Sequence, residues 1–137
     1  MISGSGFVDL QVNGYGGVDF NADELDSAAV ARACRDLRAS GVDGVLATII
    51  TDSIENMCRR LQNVCRVRRE DRVVAETIWG LHVEGPFLNE QSGYIGAHPA
   101  DAAMPASTDA MERLLEAGEG LVRIVTLAPE RDPQAQV

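Results

Sequence analysis

Four apolar runs of strand length alternate with three amphipathic stretches of helix length, and this order limits the fold more than any single motif. FVDLQVN (7–13) alternates apolar and polar residues between glycines and reads as a strand. Residues 22–39 read as a helix: Asn21 stands at the cap, Glu24 follows three residues later, Gly41 stops it, and Leu25, Ala29, Ala33 and Leu37 form its apolar stripe. VLATIIT (45–51) is a continuous apolar run of strand length. A second helix is expected from Asp52 or Ser53, with Ile54, Met57, Cys58, Leu61, Val64 and Cys65 at helical spacing. TIWGLHVEG (77–85) reads as a third strand. A polar loop with Gly93, Gly96, Pro99 and Pro105 then leads to a third helix from Ser107 or Thr108, with Met111, Leu114 and Leu115 facing inward. LVRIVTLAP (121–129) is the fourth strand, closed by Pro129.

The resulting β-α-β-α-β-α-β order places the chain in the α/β class, with a parallel sheet and right-handed crossovers. Two architectures fit: a small doubly wound sheet, or the first half of a (β/α)8 barrel. No linker, repeat or low-complexity segment interrupts residues 1–137, so they read as a single domain. A full barrel takes about 250 residues. The barrel reading therefore expects a partial domain, with the second half of the barrel beyond Val137.

The chain of 137 residues carries a net charge of −9, which argues against nucleic acid or an anionic membrane as a partner. All twelve basic residues are arginine. The absence of lysine excludes a lysine Schiff base or a Walker-type lysine within these residues. Arg59, Arg60, Arg66, Arg68, Arg69 and Arg72 fall on or just after the second helix and read as a solvated outer face rather than an anion patch. The three cysteines, Cys34, Cys58 and Cys65, form no C-x-x-C pair and fall in helix-like stretches, as buried small hydrophobes in a reducing cytosol do. No run is long enough to span a bilayer, and MISGSGFVDL lacks the features of a secretion signal, so a cytoplasmic location is expected.

In parallel α/β folds, chemistry gathers at the carboxyl ends of strands. Two strands turn polar there. Asp9, Gln11 and Asn13 are two apart and are expected to share a face of the first strand, with Val8, Leu10 and Val12 on the other. His82 and Glu84 share a face of the third, opposite Leu81 and Val83. A buried carboxylate at a strand end is costly unless it is paired or bound to a cation. Any one of these residues alone fits a hydrogen-bonded polar layer; both strands together, each followed by a glycine (Gly14 and Gly85), favour a site. Glu84 is the best candidate metal ligand. His82 is a weaker one, equally suited to hold a ligand in place or to touch substrate. NGYGG (13–17) does not have the G-x-G-x-x-G spacing and reads as a tight loop over the site.

GFVDLQVNGYGGVDFN, GLHVEGPFLN with GAHP after it, and VTLAPE downstream resemble, in that order, the N-acetylglucosamine-6-phosphate deacetylases of the amidohydrolase superfamily. The resemblance runs from Gly6 to Glu130. It implies the N-terminal part of a distorted (β/α)8 catalytic barrel, beside a β-sandwich that lies outside these residues. It implies hydrolysis of the acetamide of N-acetylglucosamine 6-phosphate to glucosamine 6-phosphate and acetate, with one divalent metal ion, zinc or iron, as cofactor. By position, Glu84 matches the family's metal-binding glutamate, and Ala97 and His98 match the Ala-His pair that contacts the sugar. Gln11 and Asn13 stand where many amidohydrolases carry His-x-His. Amides are poor zinc ligands, which agrees with a one-metal site. Asp9 and His82 are expected to line the site. The catalytic aspartate and two histidine ligands are expected beyond residue 137, and Ile95 stands where relatives often have a basic residue.

The resemblance leaves the sugar open, since the galactosamine isomer fits equally. The reading from another class is a non-catalytic small α/β domain that binds a ligand or itself. A half-barrel exposes sheet edges and an apolar face, so a homo-oligomer is expected.

Overall fold

The computed structural model of the chain describes residues 6–137. Strand β1 (Phe7–Val12) is followed by a short hairpin of β2 (Gly14–Tyr15) and β3 (Val18–Asp19), then α1 (Ser27–Ala39) and β4 (Val42–Ile50). Helices α2 (Ile54–Glu70) and α3 (Arg72–Thr77) precede β5 (Ile78–Glu84), and α4 (Thr108–Ala117) precedes β6 (Val122–Thr126). A single 3-10 turn, Pro129–Arg131, follows.

β1, β4, β5 and β6 form one parallel sheet, in that spatial order. Each strand lies beside the one before it, so the sheet winds in one direction. A doubly wound sheet reverses its order at a switch point; this one does not, and its winding is that of the opening part of a (β/α)8 barrel. Alternation along the strands gives the sheet two faces. Val45, Ala47, Ile49, Leu81 and Val83 join the core with Val30, Cys34, Leu37, Met57, Leu61, Val64, Val67 and Leu114 from the helices. Each such side chain contributes about 1.5–3 kcal/mol on burial. The other face carries Thr48, His82 and Glu84.

The helix caps explain the boundaries. Ser53 accepts from Asn56 N at the start of α2, and Ser107 from Ala110 N at the start of α4, as the sequence leads one to expect. The first helix begins at Ser27 rather than residue 22, because Asp26 is its cap and accepts from Ala28 N. Asn21 instead bridges to β4: its Nδ2 donates to Thr48 O and its Oδ1 accepts from Ile50 N, each at 2.9 Å. Helix α3 was not expected. Asp71 ends α2 and caps α3 through Val73 N and Val74 N. Leu115 is 45% exposed rather than inward, whereas Met111 and Leu114 are buried.

β1 also departs from simple alternation. Asp9 pairs with Val45 and Val12 with Ala47, so β1 spends one more residue than β4 between the two pairs. The bulge removes the expected face shared by Val8, Leu10 and Val12: Val12 is 7% exposed, while Val8 and Leu10 are 45% and 53% exposed.

Cys34 and Cys65 are buried and Cys58 is half-buried, none in a disulfide. Four of the five arginines of α2 are tied to acids at its surface, Arg59 to Asp23, Arg60 to Asp52, Arg66 to Glu70 and Arg69 to Glu119, whereas Arg68 is half-buried and donates to Ile78 O and Ala75 O instead of joining the solvated face. Among the described residues, no helix is long and apolar enough to cross a membrane.

Candidate functional site

The site forms at the carboxyl ends of β1 and β5, on the sheet face away from the helices. Glu84 is the last residue of β5, paired with Ile50 of β4 and Thr126 of β6. Its carbonyl accepts from Thr51 Oγ1 at 2.8 Å. The chain then turns sharply at Gly85, whose φ of +86° suits glycine. A Cβ there would collide with Thr51 Oγ1, so both backbone and space require glycine.

Two groups approach Glu84 Oε1. Gln11 Nε2 donates to it at 2.9 Å, and His98 Nε2 lies 3.8 Å away. The Glu84 and His98 side chains are only 16% and 20% exposed. His98 Nδ1 is buried and has no partner among the described residues. The loop carrying His98 is anchored at both ends by a small second core of Phe87, Ala110 and Met111, with Met104 and Leu127 packed on it. Met104 N donates to Pro86 O, and Ala128 N to Phe87 O. The loop is thereby held back over the end of β5.

His82 is 5% exposed, and both ring nitrogens are engaged. Nδ1 lies 3.1 Å from Leu10 O, and Nε2 lies 2.7 Å from Thr126 Oγ1. Its ring is committed to protein partners, which sets it apart from Glu84 and His98. Asp9 turns back on its own strand and accepts from Gln11 N at 3.0 Å. Asn13 is exposed, its carbonyl accepting from Phe20 N, and it borders a surface hollow of about 500 Å³ with residues 14–19. Ala97 is exposed beside His98. Thus the fold brings Gln11, His82, Glu84 and His98 together and leaves Asp9 and Asn13 at the margin.

Sequence reasoning missed the threonines. Thr48 is fully buried, and its Oγ1 accepts from Val12 N at 3.0 Å. Thr51 and Thr126 bond Glu84 and His82. The available signal was a hydroxyl within two strand runs, VLATIIT and LVRIVTLAP.

Chemically, Glu84 offers an anionic oxygen donor and His98 a nearby imidazole. Among the described residues, no three histidine, cysteine, aspartate or glutamate side chains cluster as a metal site. The donor set fits a divalent ion in part: it supplies one carboxylate ligand, and the remaining ligands must come from elsewhere.

A parallel sheet that winds in one direction, with a carboxylate at a strand end facing an imidazole from the following loop, fits the opening part of a (β/α)8 barrel with its polar groups at the carboxyl ends of the strands. Known proteins narrow this further. No protein-family model matches the chain. The N-acetylglucosamine-6-phosphate deacetylase of Bos taurus is 35% identical over 91% of this chain and 30% of that enzyme. The N-acetylgalactosamine-6-phosphate deacetylase of Shewanella sp. is 36% identical over 97% of this chain and 32% of that enzyme. A mutant N-acetyl-D-glucosamine-6-phosphate deacetylase from Mycobacterium smegmatis, solved in complex with N-acetyl-D-glucosamine-6-phosphate, matches with a TM-score of 0.78 and 37% identity, over 93% of this chain and 31% of that chain. By sequence and by fold the chain is a homologue of the N-acetylglucosamine-6-phosphate deacetylases, and it spans about a third of the length of these relatives.

Proposed function

We propose that residues 1–137 form one part of a metal-dependent amidohydrolase barrel that removes the acetyl group of N-acetylglucosamine 6-phosphate. The observation that carries this reading is the meeting of Glu84 and His98 at the open end of β5, 3.8 Å apart and largely shielded from water. In this reading Glu84 is a ligand of a single divalent ion, zinc or iron. When bound, that ion polarises the acetamide carbonyl and lowers the pKa of a water molecule. Gln11 holds one oxygen of Glu84, so the carboxylate has a fixed orientation. His98 serves as a substrate contact beside Glu84, and Ala97 lies next to it as a second one. Asp9 and Asn13 line the margin, and the catalytic aspartate lies outside the chain. The acidic surface, with its net charge of −9, goes with a small-molecule substrate and a cytoplasmic location rather than with nucleic acid or membrane.

A second sugar is favoured by one specific finding, the similarity to the Shewanella N-acetylgalactosamine-6-phosphate deacetylase. Acetate release from both sugar phosphates by the full-length protein that carries this segment tests the reading. Release from the glucosamine compound, lost in His98→Gln, supports it. Release only from the galactosamine compound reverses the sugar assignment, and release from neither rejects the activity.

The reading also calls for cover on the sheet edge. Phe7, Val8 and Leu10 are exposed along β1, with Phe7 at 80%. The isolated chain is expected to self-associate. A monodisperse monomer in sizing chromatography contradicts this.

A further inference from the structure

A bulge takes backbone groups out of the sheet ladder, and buried groups of that kind need other partners. Between Asp9 and Val12, three side chains supply them: Asp9 itself accepts from Gln11 N at 3.0 Å, and the other two come from neighbouring strands. Thr48 of β4 accepts from Val12 N at 3.0 Å, and His82 of β5 bonds Leu10 O at 3.1 Å. Gln11 lies between these two tied residues, and its side chain is the one that reaches Glu84. The aim of Gln11 is therefore set by a bulge that His82 and Thr48 hold open.

A carbonyl only accepts, so the bond to Leu10 O places the proton on Nδ1. Nε2 then accepts from the Thr126 hydroxyl at 2.7 Å. Thr48 Oγ1, 3.5 Å from Nδ1 and 3.4 Å from Leu46 O, completes a consistent direction of donation. One imidazole thus ties β1 to β6 from its place on β5.

We propose that His82 is a positioning residue: with its proton on Nδ1, it fixes the bulge of β1 and so aims the Gln11 amide at Glu84. Its bearing on catalysis rests on Glu84 being a metal ligand; the tie itself does not, and is measured without metal.

The test is nitrogen-15 NMR on the metal-free full-length protein that carries this segment, at mildly alkaline pH. The ring of His82 is expected to show a protonated Nδ1 and an unprotonated Nε2. A proton on Nε2 overturns the proposal. The Gln11 side-chain amide signal, identified by its movement in Glu84→Gln, then reads the aim directly. Asparagine places an amide N–H near the Nδ1 position and glutamine near the Nε2 position. His82→Asn should leave the Gln11 signal in place, while His82→Gln should move it toward its place in Glu84→Gln. An unmoved signal in folded His82→Gln, or a moved one in His82→Asn, overturns the proposal. If His82→Gln does not fold, the wild-type ring and His82→Asn decide.

Discussion

Gln11 and Glu84, 73 residues apart, meet through a 2.9 Å hydrogen bond from Gln11 Nε2 to Glu84 Oε1 at the open end of the sheet. The bond joins the first strand to the third strand of the sheet and holds one carboxylate oxygen toward His98. Groups that orient a metal ligand typically contribute 10–100-fold to metal affinity. With Glu84 as the metal ligand proposed above, Gln11→Leu in the full-length protein is expected to weaken binding of the divalent ion by roughly that factor, measured by calorimetric titration with zinc and with iron. Unchanged affinity would show that the bond does not orient a ligand.

Thr48→Val keeps the shape of a fully buried side chain and removes the acceptor for Val12 N. An orphaned buried N–H costs about 1–3 kcal/mol. Urea unfolding should show a loss of that size, whereas Ser at the same position should retain most of the bond. A loss below a few tenths of a kcal/mol contradicts the account of the bulge.

Asn21 was read as a helix cap, yet it extends the edge of β4 with two hydrogen bonds. Asn21→Ala leaves Thr48 O and Ile50 N short of partners and is expected to cost about 2–3 kcal/mol. A true cap lost to alanine costs about 1 kcal/mol. Asp26→Ala should show that smaller loss, and the order of the two variants in thermal unfolding checks the assignment.

Burial pushes the Cys34 and Cys65 thiols up from 9.0 to about 11, with nearby acids (Asp71 and Glu119) acting in the same direction. Near neutral pH neither the folded nor the unfolded chain ionises them appreciably. Between about 9 and about 11 the unfolded chain loses protons that the folded chain keeps, so stability falls as pH rises. The chain has no lysine to obscure this range. Replacing both cysteines by alanine should flatten the decline seen in urea unfolding. An unaltered slope argues against the burial account.

Much of the fold was legible because periodicity survives where packing is regular. The stripe of Met57, Leu61, Val64 and Cys65 faces the core as its spacing requires. The ambiguity between barrel and doubly wound sheet was settled only by strand order, which no local pattern encodes. β1 misled for a physical reason: its bulge shifts the phase of alternation, so Asp9 and Gln11 do not serve one site as their spacing suggests. Asn21 misled because a cap and a strand bridge use the same amide. At the site, the His82–Glu84 pair was readable from a spacing of two. The threonines were not, since a hydroxyl in an apolar run gives no sign of the bulge it serves.

Metal content decides whether Glu84 holds an ion, as proposed. The full-length protein carrying this segment should be purified as wild type and as Glu84→Gln, and its zinc and iron measured by elemental analysis beside a folding check. Wild type is expected to hold about one ion per chain, the count of a single-metal site, and the variant almost none with its fold retained. Equal metal in both proteins would remove Glu84 from the ligand set and contradict the account.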